Sequence, residues 1–180
     1  MRQSIIESHR RLLSKWRSKM DLIGPGDMEH HFIDAREAVS ELELTGHWVD
    51  LGSGAGFPGI ALGALYPNLQ VTMVESRQKR TIFLKQVVHQ GKADNITVLC
   101  QRTEQLQGPF DGVISRAYKP PLDFLDDAKR LTRVDGLAIC MLGEHGSFDI
   151  PTEWELIDEK IYLLDDAHGQ RKRWLLKRIV

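Results

Sequence analysis

The stretch Val49-Asp50-Leu51-Gly52-Ser53-Gly54-Ala55-Gly56-Phe57-Pro58-Gly59 holds the residue types and spacing best suited to chemistry. A short apolar segment ends in an acid, glycines follow at 52, 54 and 56, and Ile60-Ala61-Leu62 then suits a helix. Backbone that runs close to a ligand takes torsions that a Cβ obstructs, so glycine recurs there. Strand, glycine loop and helix in this order are a binding device for the adenosine end of a cofactor.

The loop alone fits two cofactor classes. Asp50 before Gly52-x-Gly54-x-Gly56 matches the pattern of S-adenosylmethionine (SAM) sites, and Gly54-x-Gly56-x-x-Gly59 also satisfies the dinucleotide pattern. A pyrophosphate wants free amides at a helix N-terminus. SAM has a sulfonium and an amino-acid end instead, and an acid at Asp50 suits those cations. Ser53, inside the loop, counts with the contacts. Glu75 lies 23 residues after Gly52, where an acid can accept both ribose hydroxyls, and Ser76 adjoins it. Arg102-Thr103-Glu104 falls where an adenine edge would lie, so Thr103 and Glu104 are expected to read the ring.

Ser115-Arg116-Ala117-Tyr118-Lys119-Pro120-Pro121 is the loop at which acceptor and cofactor would meet, since ligands in open α/β sheets bind outside the carboxyl ends of the strands. It lacks the Asn/Asp-Pro-Pro-aromatic run of enzymes that methylate exocyclic amines, and it has no cysteine nucleophile. Arg116 could contact a phosphate, a purine edge or the cofactor, or serve a structural ion pair. His31 and Asp34 are three apart and would share a helix face, for packing or for substrate. Too few ligands lie nearby for a metal, and none is expected.

The elements that must position these residues alternate. An amphipathic helix over 3–19 is followed by a loop over 21–27 containing Gly24-Pro25-Gly26, and Asp27 could cap a helix over 28–43. Strands are expected at Trp48–Leu51, Gln70–Glu75, Asn95–Cys100, Phe110–Ser115 and Leu137–Leu142. Helices fall at about 58–66, 77–91 with Ser76 as cap, and 122–132. Trp154–Leu164 and Arg171–Val180 read as a closing hairpin around Ala167-His168-Gly169. Strands separated by helices make a parallel sheet covered on both faces. The closing hairpin sets this apart from a simple nucleotide-binding domain. The expected fold is therefore α/β, the class I SAM-dependent methyltransferase type: a Rossmann-like seven-stranded sheet, mostly parallel, with a terminal antiparallel hairpin and N-terminal helices before it.

Composition sets the bounds. The 180 residues, 42% hydrophobic and 27% charged, suit one soluble domain over 1–180, with 1–45 a helical extension and 46–180 the cofactor-binding core. No apolar run reaches the roughly 20 residues of a membrane span, and no secretory signal opens the chain, so a cytoplasmic location and no membrane partner are expected. Cys100 and Cys140 read as buried free thiols. Net charge is −1, yet residues 1–20 carry six Lys/Arg against one acid, and 171–180 carry five and none. These basic ends are either solvated faces or a phosphate-binding face. In the second case Arg171 and Arg173 would hold an RNA backbone.

With these residues in view, the chain resembles the RsmG/GidB family of bacterial 16S rRNA (guanine-N7) methyltransferases. The resemblance rests on Val49–Ile60 with its Phe57-Pro58-Gly59 tail, on Pro109-Phe110-Asp111-Gly112-Val113-Ile114-Ser115-Arg116-Ala117, and on His31-Phe32-Ile33-Asp34. It implies SAM contacts at Gly52, Phe57, Thr103, Glu104 and Arg116. It also implies methyl transfer to guanine N7 in 16S rRNA or the small ribosomal subunit, with S-adenosylhomocysteine as product. Arg116 would position the acceptor with no general base, and Tyr118 could stack on the base; a monomer is expected. The chain departs from the family at Asp21-Leu22-Ile23-Gly24, where Asn-Leu-Thr is frequent. It departs again at Met141-Leu142-Gly143, where many members have Leu-Lys-Gly. The residues also admit a SAM-dependent methyltransferase for another RNA or a small molecule, or a non-catalytic SAM- or RNA-binding paralogue.

Overall fold

A computed structural model describes residues 3–24, 27–165 and 167–180. Arg2, Pro25 and Gly26, which entered the expectations above, lie outside the described residues. The helices are α1 (Gln3–Trp16), α2 (Glu29–Val39), α3 (Gly59–Leu65), α4 (Gln78–Gln90) and α5 (Pro121–Leu131). The strands are β1 (His47–Leu51), β2 (Gln70–Glu75), β3 (Ile96–Cys100), β4 (Phe110–Ser115), β5 (Thr132–Gly143), β6 (Trp154–Asp165) and β7 (Gly169–Arg178).

Among the described residues seven strands form one sheet in the order β3-β2-β1-β4-β5-β7-β6. The first five are parallel, and β7 inserts antiparallel between β5 and β6. This is the class I SAM methyltransferase arrangement expected from the order of elements. The crossover from β3 to β4 reverses the direction of growth beside β1, which opens a crevice at the carboxyl ends of β1 and β4.

Period-2 alternation divides the central strands between two cores. Trp48 of β1 joins the layer containing Leu13 of α1, Phe32 of α2, Leu62 of α3 and Phe83 of α4. Val49 and Leu51 face Phe124 and Leu125 of α5. Asp50 shares the Trp48 face, so the chain buries a carboxylate beneath α3. The N-terminal helices therefore pack onto the sheet, with α1 on α3 and α4, and α2 on α3 and β6.

Three boundaries differ from expectation. Helix α2 stops at Val39, where the Tyr66 hydroxyl lies 2.7 Å from the carbonyl of Val39 and 2.9 Å from that of Leu42. The apolar Leu42 and Leu44 continue the core from a loop rather than from more helix. Ser76 does not cap α4; the N-cap position is Arg77, with no side-chain cap of its own. Glu75 Oε1 instead accepts the Arg77 amide at 2.7 Å. Strand β5 begins directly after α5, at Thr132, with a register shift opposite Phe110–Gly112.

Gly112 shows how tightly the central strands meet. It pairs with Trp48, and a Cβ on it would lie 2.4 Å from the indole, which is only 1% exposed. Gly112→Ala is expected to destabilise the fold by about 1–3 kcal/mol through overpacking. A lowered urea midpoint at unchanged m-value is the readout.

Candidate active site

Two loops build one wall of the crevice. The first follows β1, where glycines 52, 54 and 56 take φ of +66°, +51° and +96°. Gly52 needs its bare Cα for space as well, since a Cβ would stand 2.7 Å from the Tyr118 ring. Most of the loop's amides are spent inside the protein. Ser53 N–H donates to Val74 O, Gly56 N–H to Ser53 O and Ile60 N–H to Gly56 O. Gly54 N–H donates to Glu75 Oε2 at 3.1 Å, and Gly59 N–H to Asp50 Oδ2 at 3.1 Å.

This pattern separates the two cofactor classes that the loop left open. A pyrophosphate site presents free amides to an anion. Here the Glu75 and Asp50 carboxylates occupy the amides of Gly54 and Gly59, so the loop has few free donors left for an anion. A ligand bearing a ribose and no pyrophosphate fits. Each oxygen of the buried Glu75 carboxylate holds one N–H, and carboxylate oxygens have further lone pairs for a ribose diol. The residues present thus suit SAM.

A cleft of about 450 Å³ opens over this floor. Gly52, Glu75, Ser76, Thr103, Glu104 and Tyr118 line it, which brings together much of the expected cofactor set. Gly54 contributes through its bond to Glu75. Asp50, Ser53, Gly56 and Phe57 do not line the cleft; they lie behind the loop and shape it, and Arg116, also expected at the cofactor, lines the neighbouring pocket instead. The expectation of a direct Asp50 contact with the ligand is corrected accordingly. Asp50 is fully buried, and its Oδ1 meets no described group in hydrogen-bonding geometry. Burial pushes its pKa up to about 7, against the pull of Ser53 and the Gly59 amide. Tyr118 also changes place. It lies against Gly52 in the cofactor cleft, with its hydroxyl donating to Asp127 at 3.1 Å, and does not line the neighbouring pocket.

That second pocket, of about 440 Å³, shares Ala117 with the cleft. Arg116, His31, Asp34, Leu142, His168 and Arg171 are among its walls. Arg116 donates to Asp34 Oδ2 at 3.2 Å, lies 3.3 Å from His31 Nδ1, and rests 4.8 Å above the Phe57 ring. Tyr162 holds the other Asp34 oxygen at 2.9 Å. Asp34 therefore orients Arg116 from behind. Burial and then the Arg116 charge hold His31 down to a pKa of about 4, so it is neutral at pH 7. The two readings of Arg116, ion pair or ligand contact, coexist: it is ion-paired and it lines the pocket.

Arg171 reaches the pocket, and its guanidinium bonds only to the carbonyls of His168 and Gln170 among the described residues. Arg173 does not face solvent or RNA. It is 2% exposed, ion-paired to Asp158, and bonded to Ser40 O at 3.0 Å. The two arginines share a face of β7, being two residues apart, but pairing sets Arg171 opposite Gly143 at the pocket and Arg173 opposite Met141, where the end of α2 covers it. Arg173 ties the hairpin to the end of α2, and its substrate role is withdrawn. Cys140 is buried as expected, and Cys100 is exposed.

Sequence reasoning missed three contributors. His9 is fully buried on α1, with Nε2 2.7 Å from Ala55 O in the glycine loop and its ring 4.7 Å from Phe57. A histidine within the apolar stripe of Ile5, Leu12 and Leu13 was the available signal. His30 stacks on His168 at 3.8 Å, joining α2 to the hairpin turn. Tyr162, on β6, offered only the alternation of a half-buried strand.

The comparisons with known proteins follow the same lines. The family model described as "GidB: rRNA small subunit methyltransferase G" matches residues 2–165. "Ribosomal RNA small subunit methyltransferase G" of Pseudomonas fluorescens is 35% identical over 176 residues, covering 93% of this chain and 82% of that protein. The protein of that description from Colwellia psychrerythraea is 34% identical over 178 residues, covering 93% and 85%. Among solved structures, M. jannaschii TYW2 in complex with AdoMet superposes at TM-score 0.65, with 16% identity over 89% of this chain and 81% of that one. P. horikoshii TYW2 in complex with MeSAdo gives 0.66, with 14% identity over 89% and 67%. These two carry the fold alone.

Two buried groups set opposed pH dependences. Burial holds His9 down to about 4 from 6.5, so its share of stability is present above pH 6.5 and is lost as pH falls toward 4. Asp50 is raised from 3.8 to about 7, so its share falls as pH rises through that window. His9→Gln, which keeps a donor for Ala55 O, removes only the first effect. The stability difference between wild type and variant should grow as pH rises from 4 to 6.5 in denaturant titrations. A constant difference would refute the assignment.

Proposed function

The chain belongs to the GidB family, rRNA small subunit methyltransferase G, and from that premise we propose that it transfers a methyl group from SAM to N7 of a guanine in 16S rRNA. The observation that carries this reading is the meeting of two clefts at Arg116-Ala117, one suited to an adenosine-bearing ligand without a pyrophosphate and the other open to an acceptor.

SAM supplies an electrophilic methyl on a sulfonium. Guanine N7 offers an in-plane lone pair, so no proton leaves before attack, and methylation leaves the base cationic. The pocket wall suits that product. Arg116 is neutralised by Asp34, and His31 is uncharged at pH 7. A base gaining positive charge beside these two side chains, as distinct from Arg171 on the hairpin wall, meets little uncompensated repulsion. Arg116, gripped by Asp34 and resting on Phe57, is the residue assigned to hold the acceptor in line, by O6 or a phosphate oxygen. His31 Nδ1 faces Arg116, which leaves Nε2–H as a donor. Gly52, Glu75, Ser76, Thr103 and Glu104 hold the cofactor; Asp50, Gly54, Gly56 and Phe57 keep their geometry. Arg171 serves a flanking phosphate.

No helix among the described residues is long and apolar enough to cross a membrane. We read the protein as a cytoplasmic monomer that works as one methyltransferase domain, with residues 1–45 an extension packed on its core and the small-subunit rRNA or subunit as partner.

Purified protein should transfer labelled methyl from SAM to small-subunit RNA lacking this mark, with mass spectrometry placing it on a guanine as 7-methylguanosine. Arg116→Ala should lower kcat/KM by about 100-fold while calorimetry shows SAM affinity changed much less. No transfer by wild type, or a product on another atom, would overturn the reading.

A further inference from the structure

The charges near the cofactor cleft contain an arrangement that folding alone does not favour. Helix α4 begins with Arg77 at the N-cap position and Lys79 and Arg80 in its first turn, with no acid there. The N-terminus of a helix carries partial positive charge, so cations placed there are unfavourable. Across a groove of about 340 Å³ stand Lys19 and Met20, which follow α1, and Asp21. Arg80 bridges the groove, donating to the Asp21 carbonyl at 2.6 Å. Lys19, Arg77 and Lys79 are exposed and form no ion pair among the described residues.

We propose that this groove, between the end of α1 and the start of α4, holds the phosphodiester backbone of the RNA substrate; the proposal rests on the RNA reading above. Lys19, Arg77, Lys79 and Arg80 line the groove with one acid, Asp21, and Arg80 also stands 4.0 Å from Glu75 on the cleft side. Arg77 and Arg80 also line the cofactor cleft, so a chain lying in the groove runs beside the cofactor. The groove contains no aromatic ring on which a base could stack. Its contacts are therefore to phosphate, fixing register and carrying no sequence information. Together with Arg171 at the acceptor pocket, the groove gives the RNA separate anchoring points on either side of the Arg116-Ala117 boundary. It also explains why the basic N-terminal segment and the unfavourably charged start of α4 are found together.

The test uses Lys19→Gln/Lys79→Gln, since neither residue lines the cofactor cleft. Binding of unmodified small-subunit RNA is measured by filter retention across a salt series, with SAM affinity by calorimetry and Tm as a check on folding. The double variant should bind SAM as wild type does and RNA about tenfold more weakly. Its log K against log salt slope should be shallower by about 1.4, roughly 0.7 for each phosphate that is no longer neutralised. Unchanged RNA affinity, or a weaker affinity at an unchanged slope, overturns the groove. The two readings fail separately. Wild type that methylates RNA, beside a variant that binds it equally well, removes the groove and keeps the activity. Wild type that binds RNA with the steeper slope but transfers no methyl removes the activity and keeps the groove.

Discussion

Two strand-end carboxylates hold the site in place. Asp50 is the penultimate residue of β1, on the same helix-covered face as Trp48, and Glu75 ends β2. Helices α3 and α4 have no side-chain caps of their own. Asp50 accepts the Gly59 amide at the start of α3, and Glu75 accepts the Arg77 amide at the start of α4. Each carboxyl group thus satisfies an orphan donor at a helix N-terminus. Glu75 also takes the Gly54 amide, which joins the glycine loop to the neighbouring strand. The same bonds that start the helices remove amides an anion would need, so capping and ligand selection are one interaction.

From this loop the structure reaches the acceptor side through Phe57. Its ring is packed by His9 from α1 and Phe32 from α2, and it carries the Arg116 guanidinium. The N-terminal helices are therefore part of the site. Without them Phe57 loses its packing, Arg116 loses its platform, and His31 and Asp34 are absent. An uncharged His9 is required here, since a fully buried imidazolium beside Arg10 and Arg116 would be doubly penalised, by desolvation and by like charge.

The sheet order and the cofactor cleft were legible because they rest on local signals. Alternating strands and helices, glycines at 52, 54 and 56, and Glu75 at a strand end lie along the chain in the order the fold uses them. The second pocket was legible only in pieces. His31, Asp34 and Arg116 were each singled out, but their contact spans more than 80 residues and depends on α2 docking beside β6. Arg171 and Arg173 share a strand face, so the basic run alone does not separate them; their places along β7 do, with Arg171 opposite Gly143 at the pocket and Arg173 opposite Met141 under the end of α2. Ser76 was misread as a cap because sequence cannot show that the preceding glutamate already serves the helix.

Ala117 ties the two halves together. It takes φ of +53°, a left-handed conformation that disfavours a residue with a Cβ by about 1 kcal/mol. An ion pair between Arg116 and Asp34 gives no reason for such a turn, since an extended loop could make it as well. The turn sends its two neighbours apart: Arg116 goes to the acceptor pocket over Phe57, and Tyr118 goes to the cofactor cleft over Gly52. Tyr118 is then fixed by Asp127, which also binds Lys119 at 2.6 Å. A strained residue at the shared boundary of two clefts, with its neighbours committed to opposite sides, fits a site that must hold a donor and an acceptor in contact. Small shifts at Ala117 would move both walls together, so the strain is stored where alignment matters most.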